Sequence, residues 1–531
     1  MTPISATKIA TLTVAAALLA GTPAGSQTLR IAMTAADLPT VTGIPNNGGE
    51  GFRFLGYPVY DSIINWDFTH TDKLADVAPG LFTEWHIDPA NPLRWIFKVR
   101  QGVKFHDGSP FTLDAVLWNL QRIYDSKAPQ YDAPAAPIVR SAVSMLDTWE
   151  KIDDETMVIT TKFPFSFFPY LLTRILIASP AQWEKGKSWP EFAKSPSGTG
   201  PFRITKVVPG QSVEMTRNED YWDKSRIPKL QKMIVMPMSE ATTRLAALRS
   251  GQVDWIEVPP PDAIPSLKDA GFTISLKPYP HTYPYALNTL PASPFHDVRV
   301  RQAANYAIDR EGIGKLLNGI STPATGLYPE DDGFYGTPQN HYGYDPEKAK
   351  ALLKAAGYGP DHPLKAKIMI STSGSGQMQP IPMNEFMQQN FKAVGMDIDF
   401  DVVEWGTMLV AIRSAPTAPQ SHGVDGINIS LSFTDPSAMF RYYAIDSFSP
   451  VNYNWGHWNN QEFTDLARAA QSTFDKGEQT KLLAKAHSIV VDEAPWLFIV
   501  HDQNPRAMSK RVKGFNPAQS WNQDFTQVTV E

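Results

Sequence analysis

Apolar residues recur along this chain with two spacings, every second position in short runs and every third or fourth in longer ones. The two alternate often enough to predict an α/β protein. Thr28 to Met33 alternates as a strand, and the Gly- and Asn-rich stretch Gly43 to Arg53 after it predicts irregular backbone. For Gly56 to Asp61, with Ile63 and Ile64, a loop and the opening of a helix stand as equal alternatives. Trp95 to Arg100 alternates, Asp107-Gly108 signals a turn, and Thr112 is placed to cap a helix that buries Val116, Leu120 and Ile123. Further strands are expected between Trp149 and Pro169. The stretch from Gly198 to Asp223 predicts a hairpin: Phe202, Ile204 and Val208 form one strand, Pro209-Gly210 turns the chain, and Val213 and Met215 return it. Gly198 and Gly200 are expected to take backbone angles closed to other residues, and Tyr221-Trp222 stands behind the hairpin as an aromatic clamp.

Downstream, a strand over 229–238, a helix over 240–250 ended by Gly251 and a strand over 253–258 succeed one another. Ala303, Ala304, Ala307 and Ile308 share one helical stripe, and Asp309 caps the next helix, which Gly319 ends. Asp345-Pro346 starts a helix with Leu352 and Leu353 inward and Gly357 as its stop. Strands over 366–371 and 397–403 bracket a helix over 383–394, and Asp492 to Val500 reads as an apolar strand after a long helix.

Composition narrows the class. A chain of 531 residues exceeds what one core usually organises, so two or three lobes are expected. With 42% hydrophobic and 19% charged residues it is an ordinary globular composition, and a net charge of -6 gives no reason to expect nucleic acid or an anionic membrane as partner. Residues 1–26 read as a secretory signal, with Lys8 as a positive start, Ile9 to Ala20 as an apolar run too short to span a bilayer, and Ala24-Gly25-Ser26 as a cleavage site. The sequence holds 0 Cys, which excludes disulfides, thiolate metal sites and a lipid-modified cysteine. A periplasmic, unlipidated monomer is the expectation.

Several of these blocks also resemble one family. Gly198-Thr-Gly-Pro-Phe202 followed by Asn218, Tyr221 and Trp222, the run from Val99 to Ile123, the helix Asp297 to Arg310 and the closing Val512-Lys-Gly-Phe515 are similar, in order, to segments of the extracytoplasmic solute-binding proteins that serve dipeptide, oligopeptide and nickel ABC importers. The resemblance implies a periplasmic binding protein-like fold: two closing lobes, an extra inserted domain and a two-segment hinge. On that basis 27–65, 198–280 and 485–531 are assigned to lobe I, 66–197 to the inserted domain II and 281–484 to lobe III. It further implies a ligand delivered to an inner-membrane permease with cytoplasmic ATPases, without catalysis and without a cofactor.

Other chemistry finds little support. Gly186-Lys187-Ser188 has the tail of a phosphate loop, but Ala181 stands where its first glycine belongs, and there is no Gly-x-Ser-x-Gly elbow. His106 and Asp107 are the only candidates for a secreted hydrolase. No His pair has metal-ligand spacing, although His281, His422 and His457 lie in the lobe III region, and chelated nickel or haem is a cargo type in the family. Ser373-Gly-Ser-Gly376 reads as a flexible turn. A chaperone that holds unfolded chains is a third reading.

Ligand contacts are expected from Asn47, Glu50, Arg53 and Tyr60 in the first lobe and from Trp405, Ser432, Phe433, Asp435 and Trp455 in the third. In peptide-binding relatives a motif close to Trp-x-Ala-Asp-Tyr-Pro-Asp-Pro carries the Asp that pairs with the peptide's ammonium. Aligned on Asp435-Pro436, this chain has Ser432 at that Asp, Phe433 at the Tyr and Ile429 at the Trp. A hydroxyl does not compensate a desolvated ammonium, so unless Glu50 or Asp435 takes the role, the ligand expected is a modified peptide, a sugar or oligosaccharide, or an opine-like conjugate. The alternative is an ordinary di- or oligopeptide receptor.

Overall fold

The computed structural model describes residues 27–35, 38, 40–44, 48–278, 280–433 and 435–531. The signal segment and Asn47 lie outside the described residues. The architecture is mixed α/β, built on two large sheets and a smaller one. In the first large sheet the strands run in the order Thr273–Ser275, Arg506–Met508, Trp255–Glu257, Thr28–Met33, Lys232–Pro237, Ser212–Arg217 and Phe202–Val208. Thr28–Met33 is parallel to both its neighbours, and the edge is the hairpin of 202–217, turning at Gly210 with φ +66°. In the second, Ser321–Pro323, Trp496–Asp502, His281–Leu287, Gly426–Asn428, Leu364–Ser371 and Met396–Val403 lie side by side. Its two central strands, 281–287 and 496–502, are buried along their whole length, as continuous apolar runs covered on both faces should be. The smaller sheet has four antiparallel strands, Phe82–Asp88, Asn91–Val99, Thr156–Thr161 and Leu146–Lys151.

The chain crosses between the large sheets twice. It leaves the first after Ser275 and enters the second at His281, then leaves the second after Asp502 and re-enters the first at Arg506. The two crossings are joined by Lys277 N donating to Gln503 O at 2.8 Å. Trp496–Asp502, grouped with the first lobe on sequence, is hydrogen-bonded between His281–Leu287 and Ser321–Pro323 and so belongs to the second sheet.

Where capping signals were strong the helices match them: Asp297, Asp309 and Asp345 each accept from a backbone N–H of the first turn. Thr112 occupies the cap position of Leu113–Tyr124 without a side-chain bond. The stretch around Glu50 differs from expectation. Gly48–Gly51 and Phe52–Gly56 are helical, and of the two alternatives after Gly56 the chain takes the loop, a turn leading into the strand Ile64–Trp66. The reason is tertiary: the Glu50 carboxylate accepts from Thr34 N, Thr34 Oγ1 and Ala35 N at 3.1, 2.6 and 2.8 Å, and a Cβ on Gly49 would stand 2.7 Å from Trp521 Nε1. Gly198 and Gly200 also serve a different purpose from the one expected. Neither has a positive φ; a Cβ on either would lie within about 2.5 Å of Val59 backbone atoms, so the requirement is close approach. The clamp behind the hairpin closes on Asp61, whose buried carboxylate accepts from Tyr221, Trp222 and Thr199 at 2.8, 2.7 and 3.0 Å.

Candidate binding cleft

A cleft of about 1150 Å³, counting its mouth, opens between the first sheet with the chain that links its strands Thr28–Met33 and Phe202–Val208 on one side and the second sheet on the other. Gly49 and Phe52 come from the short helix, Trp521 and Asn522 from the C-terminal loop, and Trp66, Ile138, Thr173 and Arg174 from the chain that precedes the strand Phe202–Val208. The facing wall is built from Ser375, Trp405, Leu409, Ile412, Arg413, Ile429 to Ser432, Arg441, Tyr442 and Tyr453. His281 and Ser432 are register partners in adjacent antiparallel strands, which places both beside the crossing.

Among the expected contacts, Trp405 and Ser432 line the cleft. Trp405 begins the helix Trp405–Ala411, and Gly374, at φ +146°, lies so near its ring that a Cβ would sit at 2.4 Å; Gly376 is equally close to His281. Ser373-Gly-Ser-Gly376 is thus the backing of the cleft wall, and Ser375 faces into it. The other expected contacts are used elsewhere. Tyr60 is buried in the first lobe's core with its hydroxyl donating to Val41 O at 2.7 Å; Trp455 is fully buried and donates to Ser421 Oγ at 3.3 Å. Phe433 packs edge-on against Tyr328. Ring chemistry alone did not distinguish wall from core.

The charged candidates are committed as well. Arg53 forms a buried ion pair with Glu257, donates to Trp521 O at 2.7 Å and to Asn504 Oδ1 at 3.2 Å, and lies over the Trp521 ring at 3.7 Å. It holds that wall from behind. Glu50 is turned toward Thr34 and Ala35, and burial raises its carboxyl above the usual range. Asp435 accepts from Ser437 N at 3.0 Å and pairs with Arg441 at 3.5 Å. Neither carboxylate is therefore offered to a ligand ammonium, and the described residues that line the cleft include no Asp or Glu.

The lining does include three arginines, which sequence reading missed because they lie far apart along the chain. Arg174 follows the helix Phe168–Leu172, Arg413 follows Trp405–Ala411 and Arg441 belongs to Ala438–Tyr443. Burial raises the Tyr453 phenol, but Arg413, within hydrogen-bonding reach, together with Arg174 and Arg441 pulls it below its usual range. The other end of the cleft is flat and aromatic. His281 stacks on Trp521 with centroids 5.2 Å apart at 20°, and burial followed by the Arg53 charge lowers its imidazole to about 3.

His106 and Asp107 lie outside the cleft lining and have structural partners. His106 Nε2 is 2.9 Å from Gly200 O, Asp107 N donates to Ser197 Oγ at 3.1 Å, and the Asp107 carboxylate accepts from Ser109 N at 2.8 Å. Burial lowers His106 to about 4. His422 pairs with Asp401, and His457 stacks on Phe448; neither lines the cleft with His281. Among the described residues no group of three His, Cys, Asp or Glu is placed to hold a metal, and no helix is long and apolar enough to cross a membrane.

Comparison with known proteins agrees with this architecture. The profile of bacterial extracellular solute-binding proteins, family 5 Middle, matches residues 76–465. Di/tripeptide-binding protein 2 of Pseudomonas aeruginosa strain UCBPP-PA14 is 28% identical, with 100% of each chain covered. Among solved structures, the dipeptide binding protein from Pseudoalteromonas sp. SM9913 in complex with Met-Leu has a TM-score of 0.82 at 21% identity, covering 95% of this chain and 100% of that one. The binding protein AgaA of A. tumefaciens R10 in complex with agropinic acid has a TM-score of 0.77 at 23% identity, covering 95% and 99%. The two-lobed fold and the profile match along most of the chain lead to one conclusion: this chain belongs to the family 5 bacterial extracellular solute-binding proteins.

Proposed function

We propose that this protein is the periplasmic receptor of an ABC importer, and that it captures a small polar ligand other than an ordinary zwitterionic peptide. The ligand enters between the lobes, the two crossings act as the hinge, and the closed form is handed to an inner-membrane permease driven by cytoplasmic ATPases. Binding shifts the population toward closure and no bond is made or broken. The lobes are taken as 27–65 with 198–280 and the C-terminal segment, the inserted 66–197, and 281–484 together with the strand Trp496–Asp502.

The observation that carries the ligand class is the pairing of Ser432 with a lining free of Asp and Glu among the described residues. A buried ammonium would find no compensating charge there. The ligand named for AgaA, agropinic acid, supports the view that this fold accepts ligands beyond peptides. The alternative, a di- or oligopeptide receptor, is favoured by the peptides named for the similar proteins. Calorimetric titration with Ala-Ala and Met-Leu separates the two: the proposal expects no measurable heat, and nanomolar binding of either dipeptide refutes it.

A further inference from the structure

We infer that Arg174, Arg413 and Arg441 form an oxyanion-binding end of the cleft, so that the ligand carries about two negative charges on carboxylate or phosphoryl oxygens. This rests on the receptor reading above and narrows it. The three side chains come from three separate chain segments, Arg174 on one side of the cleft and Arg413 and Arg441 on the other, and all three bear on Tyr453. Arg441 has one partner, Asp435 at 3.5 Å, and its Nε is buried without a hydrogen bond although the residue is only 7% exposed. Arg174 and Arg413 have no ion-pair partner among the described residues. Two guanidinium charges thus remain uncompensated at a half-buried site, where a guanidinium is expected to meet a planar oxyanion through paired hydrogen bonds.

The rest of the cleft supplies the complement. Trp405, Trp521, Ile429 and Leu431 offer an apolar wall to the remainder of the ligand, and Trp405 Nε1 is a further buried donor without an acceptor. A second cavity, bounded by Pro134, Pro450 and Asn452, shares Arg413 and Tyr453 with the main cleft. Arg413 therefore stands at the junction, where a charged head can enter before the lobes close. With no lining carboxylate, a cation is disfavoured at the same place.

The test uses charge-matched pairs on the full mature protein, freed of bound ligand by reversible denaturation: succinate against succinamide, and glycerol 3-phosphate against glycerol. Calorimetry at low salt is expected to show at least one anion binding about tenfold or more tightly than its neutral partner, weakening as salt rises. Which pair responds distinguishes a carboxylate head from a phosphoryl head. The double variant Arg174→Gln with Arg413→Gln is expected to lose that preference while melting, without ligand, as the parent does. Should it melt early, Arg413→Lys keeps the charge, removes the fork and is expected to weaken the same anion. Anions that bind no better than their neutral partners, or that bind all variants equally, overturn the oxyanion end. An Ala-Ala arm separates the two layers of argument: nanomolar binding of Ala-Ala defeats the underlying ligand reading whatever the anions do, whereas failure of the anions alone leaves that reading standing.

Discussion

His281 stacks on Trp521 in the cleft, and its chemistry is that of a neutral ring. It is buried against Trp521 near the Arg53 charge, which lowers it to about 3; His106, His487 and His501 are lowered to about 4, chiefly by burial. In each case the unfolded chain binds a proton near pH 6.5 and the folded chain does not. Their contribution to stability is therefore complete above about pH 6.5 and is lost as pH falls toward 4. Thermal unfolding between pH 7.5 and 4.5 is expected to show a melting temperature that falls steadily on acidification, and His487→Gln should flatten that fall. A melting temperature that held level or rose across the range would contradict the assignment of neutral buried imidazoles. Residue type alone conveyed little of this. Tyr60, Phe433 and Trp455 are aromatic like Trp405, and only the packing around Gly374 tells which ring lines the cleft.

Helix caps and the hairpin of 202–217 were legible because their signals are local: an Asp before a helix, or a Pro-Gly between alternating runs. The short helix at Gly48–Gly56 was not legible, since glycine-rich sequence normally marks a loop and what orders this one is a carboxylate held by Thr34 and Ala35. From that helix Arg53 reaches Glu257, which also binds Arg506 Nε at 3.1 Å and Trp255 Nε1 at 2.7 Å. The Arg53, Glu257 and Arg506 side chains are almost completely buried, and Arg53 also touches Asn504 at the second crossing. Arg53→Met leaves Glu257 with half its compensation, so a loss of about 3 kcal/mol is expected, read as a lower urea midpoint with an unchanged slope. Because Arg53 also backs the Trp521 ring, ligand affinity should fall with it. A stability change below about 1 kcal/mol would mean the pair is not the fastening the geometry suggests.

At the scale of the whole molecule, family and architecture were readable from motif order, whereas the cargo was not. Sheet membership of Trp496–Asp502 escaped the sequence because an apolar strand near the end of a chain carries no mark of which sheet it joins. Arg174, Arg413 and Arg441 escaped it for a related reason, being brought together only by the meeting of three elements. Since the sequence has 0 Cys, lobe motion can be followed with introduced thiols alone. Labels at the exposed positions Val207 and Val410, introduced as Val207→Cys and Val410→Cys, sit on the edge strand of the first sheet and on the helix Trp405–Ala411. Ligand is expected to convert a broad or two-population distance distribution into one narrower population; a distribution unchanged at saturation would rule out hinge closure. The most direct measurement of the central claim is native mass spectrometry of the protein purified from its own host, with release and fragmentation of what it carries. The account predicts one small bound compound, stoichiometric with protein, that lacks the free ammonium of an ordinary peptide and bears about two acidic groups to meet Arg174 and Arg413. Release of unmodified di- or tripeptides would contradict it.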